Sequence, residues 1–268
     1  MSEVQPEVEV VKYRFVYGKG SGPEIGGAAD KLRLGTVFRK SIGIYRRRFL
    51  TFFLLTAIVL IPYYIAMVLL PAAAANPARA GLFATWAAAV AVVKGVTNVL
   101  ANGVVSYGVL QDLRGRRFSV AESLWVVMGR LLPLLGIVVC VSIGVGMGLF
   151  LLVVPGIVLA CRWYVCAPVC IAERSGVFDS MGRSRDLTEG YRWQVFGAAF
   201  VVVLGSFIVG VIVGLVAARF GPTALQAATF ALAAAVSAFS GVVVGVLYYE
   251  LRVAKEGVDI DRIASVFD

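Results

Sequence analysis

The sequence contains no histidine, and its 268 residues include only 16 aspartates and glutamates against 25 lysines and arginines. Histidine is the commonest general base in enzymes and the commonest metal ligand in proteins. Catalytic triads of the serine or cysteine type depend on an imidazole and are therefore excluded. We predict a protein that is not an enzyme and that binds neither a metal ion nor a cofactor.

None of the acidic residues lies within the long apolar runs. The hydrophobic fraction is 60% and the mean hydropathy is +0.88, which is more apolar surface than a soluble core of this size buries. A helix crosses the hydrocarbon layer with about 20 residues. Six runs approach or exceed that length: residues 49–70, 81–110, 131–154, 156–172, 193–218 and 222–249. We therefore predict an all-α integral membrane protein, a bundle of six helices.

The third and fourth runs are separated only by Pro155-Gly156. Proline removes a backbone donor and glycine permits a reversal of the chain, so this pair predicts a tight hairpin between two spans. A single helix over the whole stretch would be roughly 60 Å long, about twice the hydrocarbon thickness. A re-entrant pair of half-spans is the alternative to two full crossings.

The lysines and arginines fall on alternate sides of the predicted spans. Residues 1–48, 111–130, 173–192 and 251–268 hold nearly all of them, whereas the intervening connections hold only Arg79 and Arg219. The positive-inside rule then places both termini in the cytoplasm. We predict a multi-pass protein of the bacterial inner membrane, with a membrane domain over residues 34–252. Residues 1–33 form a cytoplasmic segment, partly disordered or strand-like, and residues 253–268 form a cytoplasmic tail.

The basic charge, with a pI of about 9.6, is explained by this topology. Cationic loops lie against anionic headgroups, so membrane lipids, and anionic phospholipid in particular, are the expected partners. No recognition motif with interleaved aromatic residues is present, and nucleic acid is not an expected partner. No apolar segment precedes residue 49, so we expect no cleaved signal peptide.

A short amphipathic segment precedes the first, third and fifth spans, over residues 34–48, 118–130 and 176–192. Ser41, Ser123 and Ser180 occupy comparable positions in the three segments, and Ser119 with Glu122 has the spacing of a capping box. We infer three units, each an interfacial amphipathic helix followed by a two-span hairpin. The alternative is that any segment entering a membrane tends to be amphipathic and basic. The third segment interleaves acidic and basic residues, which predicts internal ion pairs or a partner surface.

Glycines spaced four residues apart recur in the third, fifth and sixth spans. Small residues let helix backbones approach closely in lipid. Packing within the bundle is the favoured interpretation, and contact with a protein partner or a second copy is the alternative. The pairs are Gly144 and Gly148, Gly210 and Gly214, and Gly241 and Gly245.

Two cations lie inside the predicted spans. Lys94 is near the middle of the second span, with Thr97, Asn98 and Asn102 on nearly the same helix face, and Arg162 lies toward the outer end of the fourth. A central lysine costs about 2.5–3.5 kcal/mol on insertion scales, so this polar stripe should turn inward. Three alternatives satisfy the cations: backbone carbonyls near the interface, water in an inner cavity, or an anionic ligand such as a lipid phosphate. The candidate contacts of such a ligand are Lys94, Asn98, Asn102 and Arg162.

Four stretches carry a pattern that resembles a known family: residues 34–49, 109–133, 154–197 and 248–257. The most diagnostic contains Val154-Pro-Gly-Ile157, Arg162-Trp163 and Pro168, and continues through Leu187-Thr188 to Phe196-Gly197. From residue 34 onward, over about four-fifths of its length, the chain resembles the prokaryotic polytopic domain found beside glycerophosphodiester phosphodiesterase catalytic domains. The resemblance implies a six-helix inner-membrane module without the catalytic barrel, and it implies no specific activity.

Two functions fit these observations. The first is a non-catalytic membrane module that binds lipid or a protein partner in membrane homeostasis. The second is a small transporter or flippase-like conduit for an anionic amphiphile that uses the stripe around Lys94. A polar cavity joining Lys94 to Arg162 would favour the conduit, whereas a dry, glycine-packed centre would favour a structural role.

Overall fold

The structure, a computed structural model, describes residues 32–74, 80–113 and 119–256. The predictions for the N-terminal segment and for most of the C-terminal tail lie outside these residues. Within them the chain forms ten helices: α1 (Leu34–Arg47), α2 (Phe49–Ala74), α3 (Ala80–Leu113), α4 (Val120–Met128), α5 (Leu131–Leu151), α6 (Val153–Arg162), α7 (Cys166–Ala172), α8 (Val177–Thr188), α9 (Arg192–Ala218) and α10 (Pro222–Glu256).

Six segments of the described chain are long and apolar enough to cross a membrane. They are Phe49–Val68, Thr85–Leu113, Leu131–Leu151, Val153–Ala172, Arg192–Ala218 and Pro222–Glu256. The prediction of an all-α bundle with six membrane-length segments is therefore confirmed. The last helix continues to Glu256, past the predicted end of the sixth run.

The fourth segment is not one continuous helix. α6 ends at Arg162, residues 163–165 form a turn, and α7 begins at Cys166. α8 packs back along α7, so that the hydroxyls of Ser184 and Thr188 donate hydrogen bonds of 2.8 and 3.4 Å to the Arg162 carbonyl. α8 thereby satisfies a backbone acceptor that the helix break leaves without an intrahelical partner.

The reversal before α6 lies at Leu152, and the predicted position at Pro155-Gly156 is wrong. Leu152 is extended (φ −158°, ψ 137°), whereas Pro155 falls within the first turn of α6. Proline is tolerated there because the amide groups of a first helical turn have no partner within the helix. Gly156 instead allows a close contact with α5, since a Cβ added to Gly148 would lie 2.9 Å from the Gly156 Cα.

The predicted amphipathic segments form α1, α4 and α8, and each is followed by two membrane-length segments. The side chains of Ser41, Ser123 and Ser180 are all fully buried, at 0% exposure. Ser119 caps α4 by accepting a hydrogen bond of 3.0 Å from the backbone amide of Glu122. The order of elements thus repeats three times, and each short helix holds a fully buried serine.

α10 forms the centre of the bundle. It packs against α1, α2, α3, α7, α8 and α9, and 56% of its most apolar window is buried, against 6% for α9. Its closest neighbour is α3, because Cβ atoms added to Gly241 and Gly245 would lie 2.7 Å from the Val105 Cβ and 3.2 Å from the Ser106 Cα. The Ser106 hydroxyl also donates a hydrogen bond of 3.2 Å to the Gly241 carbonyl.

Two of the three predicted glycine pairs therefore serve contacts within the bundle. In α5, Gly148 faces Gly156, and Gly144 lies under the ring of Trp163, where a Cβ would meet Cζ3 at 2.5 Å. Gly210 and Gly214 of α9 differ, since a Cβ added to either would have nothing within 4 Å in the described chain.

The mixed-charge third segment is paired internally in part. Arg183 pairs with Glu173 at 3.2 Å and also with Glu256 at the end of α10. Glu173 in turn accepts a hydrogen bond of 2.9 Å from the Tyr248 hydroxyl. The other charged residues from this turn and helix are exposed: Arg174, Asp179, Arg185, Asp186 and Glu189.

Candidate functional site

A cavity of about 390 Å³ lies between α2, α3, α9 and α10, near the middle of each helix; we call it the Lys94 groove. One part of its lining is apolar and consists of Leu60, Val202, Val203, Ala233 and Val236. The other part is polar and consists of Tyr63, Lys94, Asn98, Asn102, Ser206, Ser237 and Ser240. A polar patch at this depth is costly in hydrocarbon unless its groups find partners.

Lys94 lies at the mouth of the groove. Its side chain is exposed, and Nζ lies 6.0 Å from the centre of the Tyr63 ring, at the outer limit of a cation–π contact. Within the described chain, no carboxylate lines the groove. The positive charge of Lys94 therefore has no counter-charge at the same depth among these residues.

The two asparagines are held in one orientation by their own helix. The Asn98 side-chain amide donates a hydrogen bond of 2.9 Å to the Lys94 carbonyl, and the Asn102 amide donates one of 3.0 Å to the Asn98 carbonyl. A carbonyl cannot accept from the other amide atom, so Nδ2 faces the backbone in both residues. Each Oδ1 is consequently left as an acceptor, together with the second N–H of each amide.

Two polar atoms at the floor of the groove have no hydrogen-bond partner among the residues that the structure describes. They are the Asn102 Oδ1 and the Ser237 Oγ, both buried. By contrast, the Ser206 hydroxyl is occupied, since it donates to the Val202 carbonyl at 2.5 Å. An unsatisfied buried acceptor costs about 1–3 kcal/mol, so the floor is a place where a ligand or a water gains by donating a hydrogen bond.

The polar stripe predicted on α3 turns inward only in part. Asn98 and Asn102 line the groove, but Lys94 is exposed at its edge. Thr97 is buried at 5% exposure and is not part of the lining. Its hydroxyl instead donates to the Val93 carbonyl of the same helix at 2.8 Å.

Arg162 does not line the groove. It ends α6 beside α8, because the chain breaks after it and the α7–α8 hairpin folds back onto its carbonyl. Its Nε is buried and has no hydrogen-bond partner within the described part of the chain. Trp163, which follows it, packs on Gly144. Arg162 and Lys94 therefore belong to different parts of the bundle.

Sequence reasoning missed the groove residues on the other three helices. Tyr63 comes from α2, Ser206 from α9, and Ser237 with Ser240 from α10. Each is an isolated polar residue within an apolar run, and isolated hydroxyls commonly bond to their own helix. The available signal was their shared position near the middle of three predicted spans.

Comparisons of the chain with protein-family models, with curated proteins and with solved structures found no match. The resemblance to the membrane domain found beside glycerophosphodiester phosphodiesterases therefore stays a prediction.

Proposed function

We propose that this protein is a non-catalytic module of the bacterial inner membrane that binds an anionic lipid in the Lys94 groove. In this proposal both termini are cytoplasmic, and the lipid is held without being chemically converted. The resemblance to the polytopic domain beside phosphodiesterases belongs to the same proposal, since it implies a membrane module and no activity.

The unbalanced charge of Lys94 carries the proposal. A lysine at mid-span that had a protein carboxylate beside it would be satisfied without a ligand, but the described lining of the groove holds none. A phosphate group at the mouth would supply the missing negative charge and a strong hydrogen-bond acceptor for the ammonium group. Tyr63 and Asn98 line the same groove, and their polar atoms would contact the same headgroup.

The apolar walls support a lipid over a small soluble anion. Val203 is 67% exposed at the edge of the groove, and it lies near the middle of the segment Arg192–Ala218. An opening at that position faces hydrocarbon once the helices span a bilayer. An acyl chain can then lie along the valines and alanines of α9 and α10 while its headgroup contacts Lys94.

The geometry favours binding over passage through the protein. A conduit needs polar residues on both sides of the constriction, and Arg162 was the second cation expected to supply them. That residue lies beside α8, outside the lining of the groove. The polar lining ends at the floor formed by Asn102 and Ser237, where α3 and α10 pack closely through Gly241.

The test compares Lys94→Met with Lys255→Met, the same chemical change at an exposed residue in the last turn of α10. Each protein is purified in mild detergent, and its bound lipids are identified by native mass spectrometry. The wild type and Lys255→Met should retain anionic phospholipid, whereas Lys94→Met should lose it. If Lys94→Met retains the same lipid and melts at a higher temperature, Lys94 is a tolerated charge and the proposal is wrong.

A further inference from the structure

We infer that the Lys94 groove selects a lipid whose headgroup combines one negative charge with hydroxyl donors, such as a phosphodiester of glycerol, over zwitterionic aminolipids. This inference rests on the proposed function, because it concerns the headgroup of the lipid held there. It is argued from the hydrogen-bonding direction of the groove residues rather than from their charge alone.

The groove presents one cation and, farther along α3, two asparagine side chains. One N–H of each side-chain amide donates to a backbone carbonyl of α3, which leaves the Oδ1 acceptor and the second N–H of each amide. The two residues lie one helical turn apart, about 6 Å along the axis, and follow Lys94 on the same face of α3. A headgroup that placed its phosphate at Lys94 would therefore extend its far end toward two amide oxygens, which accept hydrogen bonds from donors.

The floor of the groove favours a headgroup that carries a hydrogen-bond donor. Asn102 Oδ1 is buried and has no partner among the described residues. Ser237 Oγ, which is also buried without a partner, can either donate or accept. A headgroup hydroxyl can donate to Asn102 and accept from Ser237 at once. A phosphodiester whose headgroup ends in a methyl group can do neither.

An ammonium headgroup also carries donors, but the charges disfavour it. Recognition of ammonium in a low-dielectric site requires a carboxylate or a cage of aromatic rings. The described lining contains no carboxylate and one aromatic ring, that of Tyr63, which already faces Lys94. A second cation beside Lys94 would therefore meet repulsion without compensation.

The decisive comparison is between phosphatidylglycerol and phosphatidylmethanol carrying identical acyl chains. Both have one phosphodiester charge, and only the first has headgroup hydroxyls. Affinity for the detergent-solubilised full chain is measured by native mass spectrometry titration, with phosphatidylethanolamine as the zwitterionic arm. We expect the wild type to bind phosphatidylglycerol about 3- to 10-fold more tightly than phosphatidylmethanol, the effect of one buried hydrogen bond. Phosphatidylethanolamine should bind more weakly than either.

Substitutions test whether Asn102 is responsible for the preference for phosphatidylglycerol over phosphatidylmethanol. Asn102→Leu should reduce the affinity for phosphatidylglycerol to that for phosphatidylmethanol. Thr97→Val, a polar-to-apolar change on the same helix but outside the lining, should keep the wild-type ratio. Lys94→Met should weaken both lipids together. Glycerophosphoglycerol, the headgroup without acyl chains, should bind far more weakly than the lipid, and equal binding would overturn a lipid ligand in favour of a soluble one.

Failure of this inference differs from failure of the proposed function. If the wild type binds phosphatidylglycerol and phosphatidylmethanol equally while Lys94→Met weakens both, the groove binds anionic lipid but the headgroup selection is wrong. If Lys94→Met changes neither affinity, the lipid lies elsewhere and both proposals are wrong.

Discussion

The Tyr248 hydroxyl donates a hydrogen bond of 2.9 Å to Oε1 of Glu173, and this contact joins the central helix α10 to the turn between α7 and α8. Tyr248 is 1% exposed and the Glu173 side chain is 24% exposed, so the bond is partly buried. The same carboxylate pairs with Arg183, which in turn pairs with Glu256. One end of α10 is therefore tied to the α7–α8 hairpin by linked polar contacts.

Removing that hydroxyl should destabilise the protein. Tyr248→Phe leaves the Glu173 carboxylate without one donor, at a cost of about 1.5–3 kcal/mol for a bond to a charged group. The apparent melting temperature in detergent should fall. Tyr64→Phe is the matched control, because the Tyr64 ring packs on Phe230 and its hydroxyl has no hydrogen bond to any residue that the structure describes. Equal melting temperatures for the two variants would show that the Tyr248–Glu173 bond does not stabilise the fold.

Arg183→Gln should have a smaller effect that depends on salt. Both its partners are partly exposed, and such pairs contribute about 0.2–1 kcal/mol each. The loss of stability should shrink when the ionic strength is raised to about 1 M, where charges are screened within about 3 Å. The control is Arg185→Gln, because Arg185 is exposed and pairs with neither Glu173 nor Glu256 in the structure. A salt-independent loss would mean that Arg183 acts through packing.

Substitution by alanine should lower the stability of the protein at a glycine packed against another helix, and should not lower it at a glycine that faces open space. A Cβ at Gly241 would lie 2.7 Å from the Val105 Cβ, and such overpacking costs about 1–3 kcal/mol. Gly214→Ala enters open space and should be neutral or stabilising by up to about 1 kcal/mol, because alanine is the better helix former. Thermal melting of the two variants decides the matter. A stable Gly241→Ala protein would contradict the close α3–α10 contact.

The tryptophans should differ in their access to lipid. Trp125 is 81% exposed and Trp193 is 82% exposed, whereas Trp163 is covered by α5 at Gly144. In proteoliposomes with brominated acyl chains, variants that retain only Trp125 or only Trp193 should be quenched more strongly than one that retains only Trp163. The opposite order would mean that the exposed faces of α4 and α9 are covered by protein instead of lipid.

Much of the fold follows from local sequence properties. Run length alone predicts the six membrane-length segments, and the Ser119 capping motif predicts the start of α4. The hairpin near Pro155 was misplaced because a proline is tolerated equally well in a turn and in a first helical turn. What decides between them is the contact of Gly156 with Gly148, which depends on how α5 and α6 pack.

The candidate site was predictable only on one helix. Lys94, Asn98 and Asn102 share a helix face, so their spacing on α3 indicates a common direction. The convergence of Tyr63, Ser206 and Ser237 depends on the packing of three further helices, which their shared position near the middle of the predicted spans does not determine. The position of Arg162 outside the site was not predictable for the same reason. The helix breaks at residues 163–165, and no proline or glycine among those residues predicts the break.

The small share of α9 in the core has a consequence for the walls of the groove. α2, α3 and α10 hold one another through many buried contacts, but α9, which supplies Val202, Val203 and Ser206, is buried over only 6% of its window. Any force that tilts α9 sideways changes the width of the groove while the other three helices keep their packing. The same displacement applied to α3 would disrupt the interior of the protein.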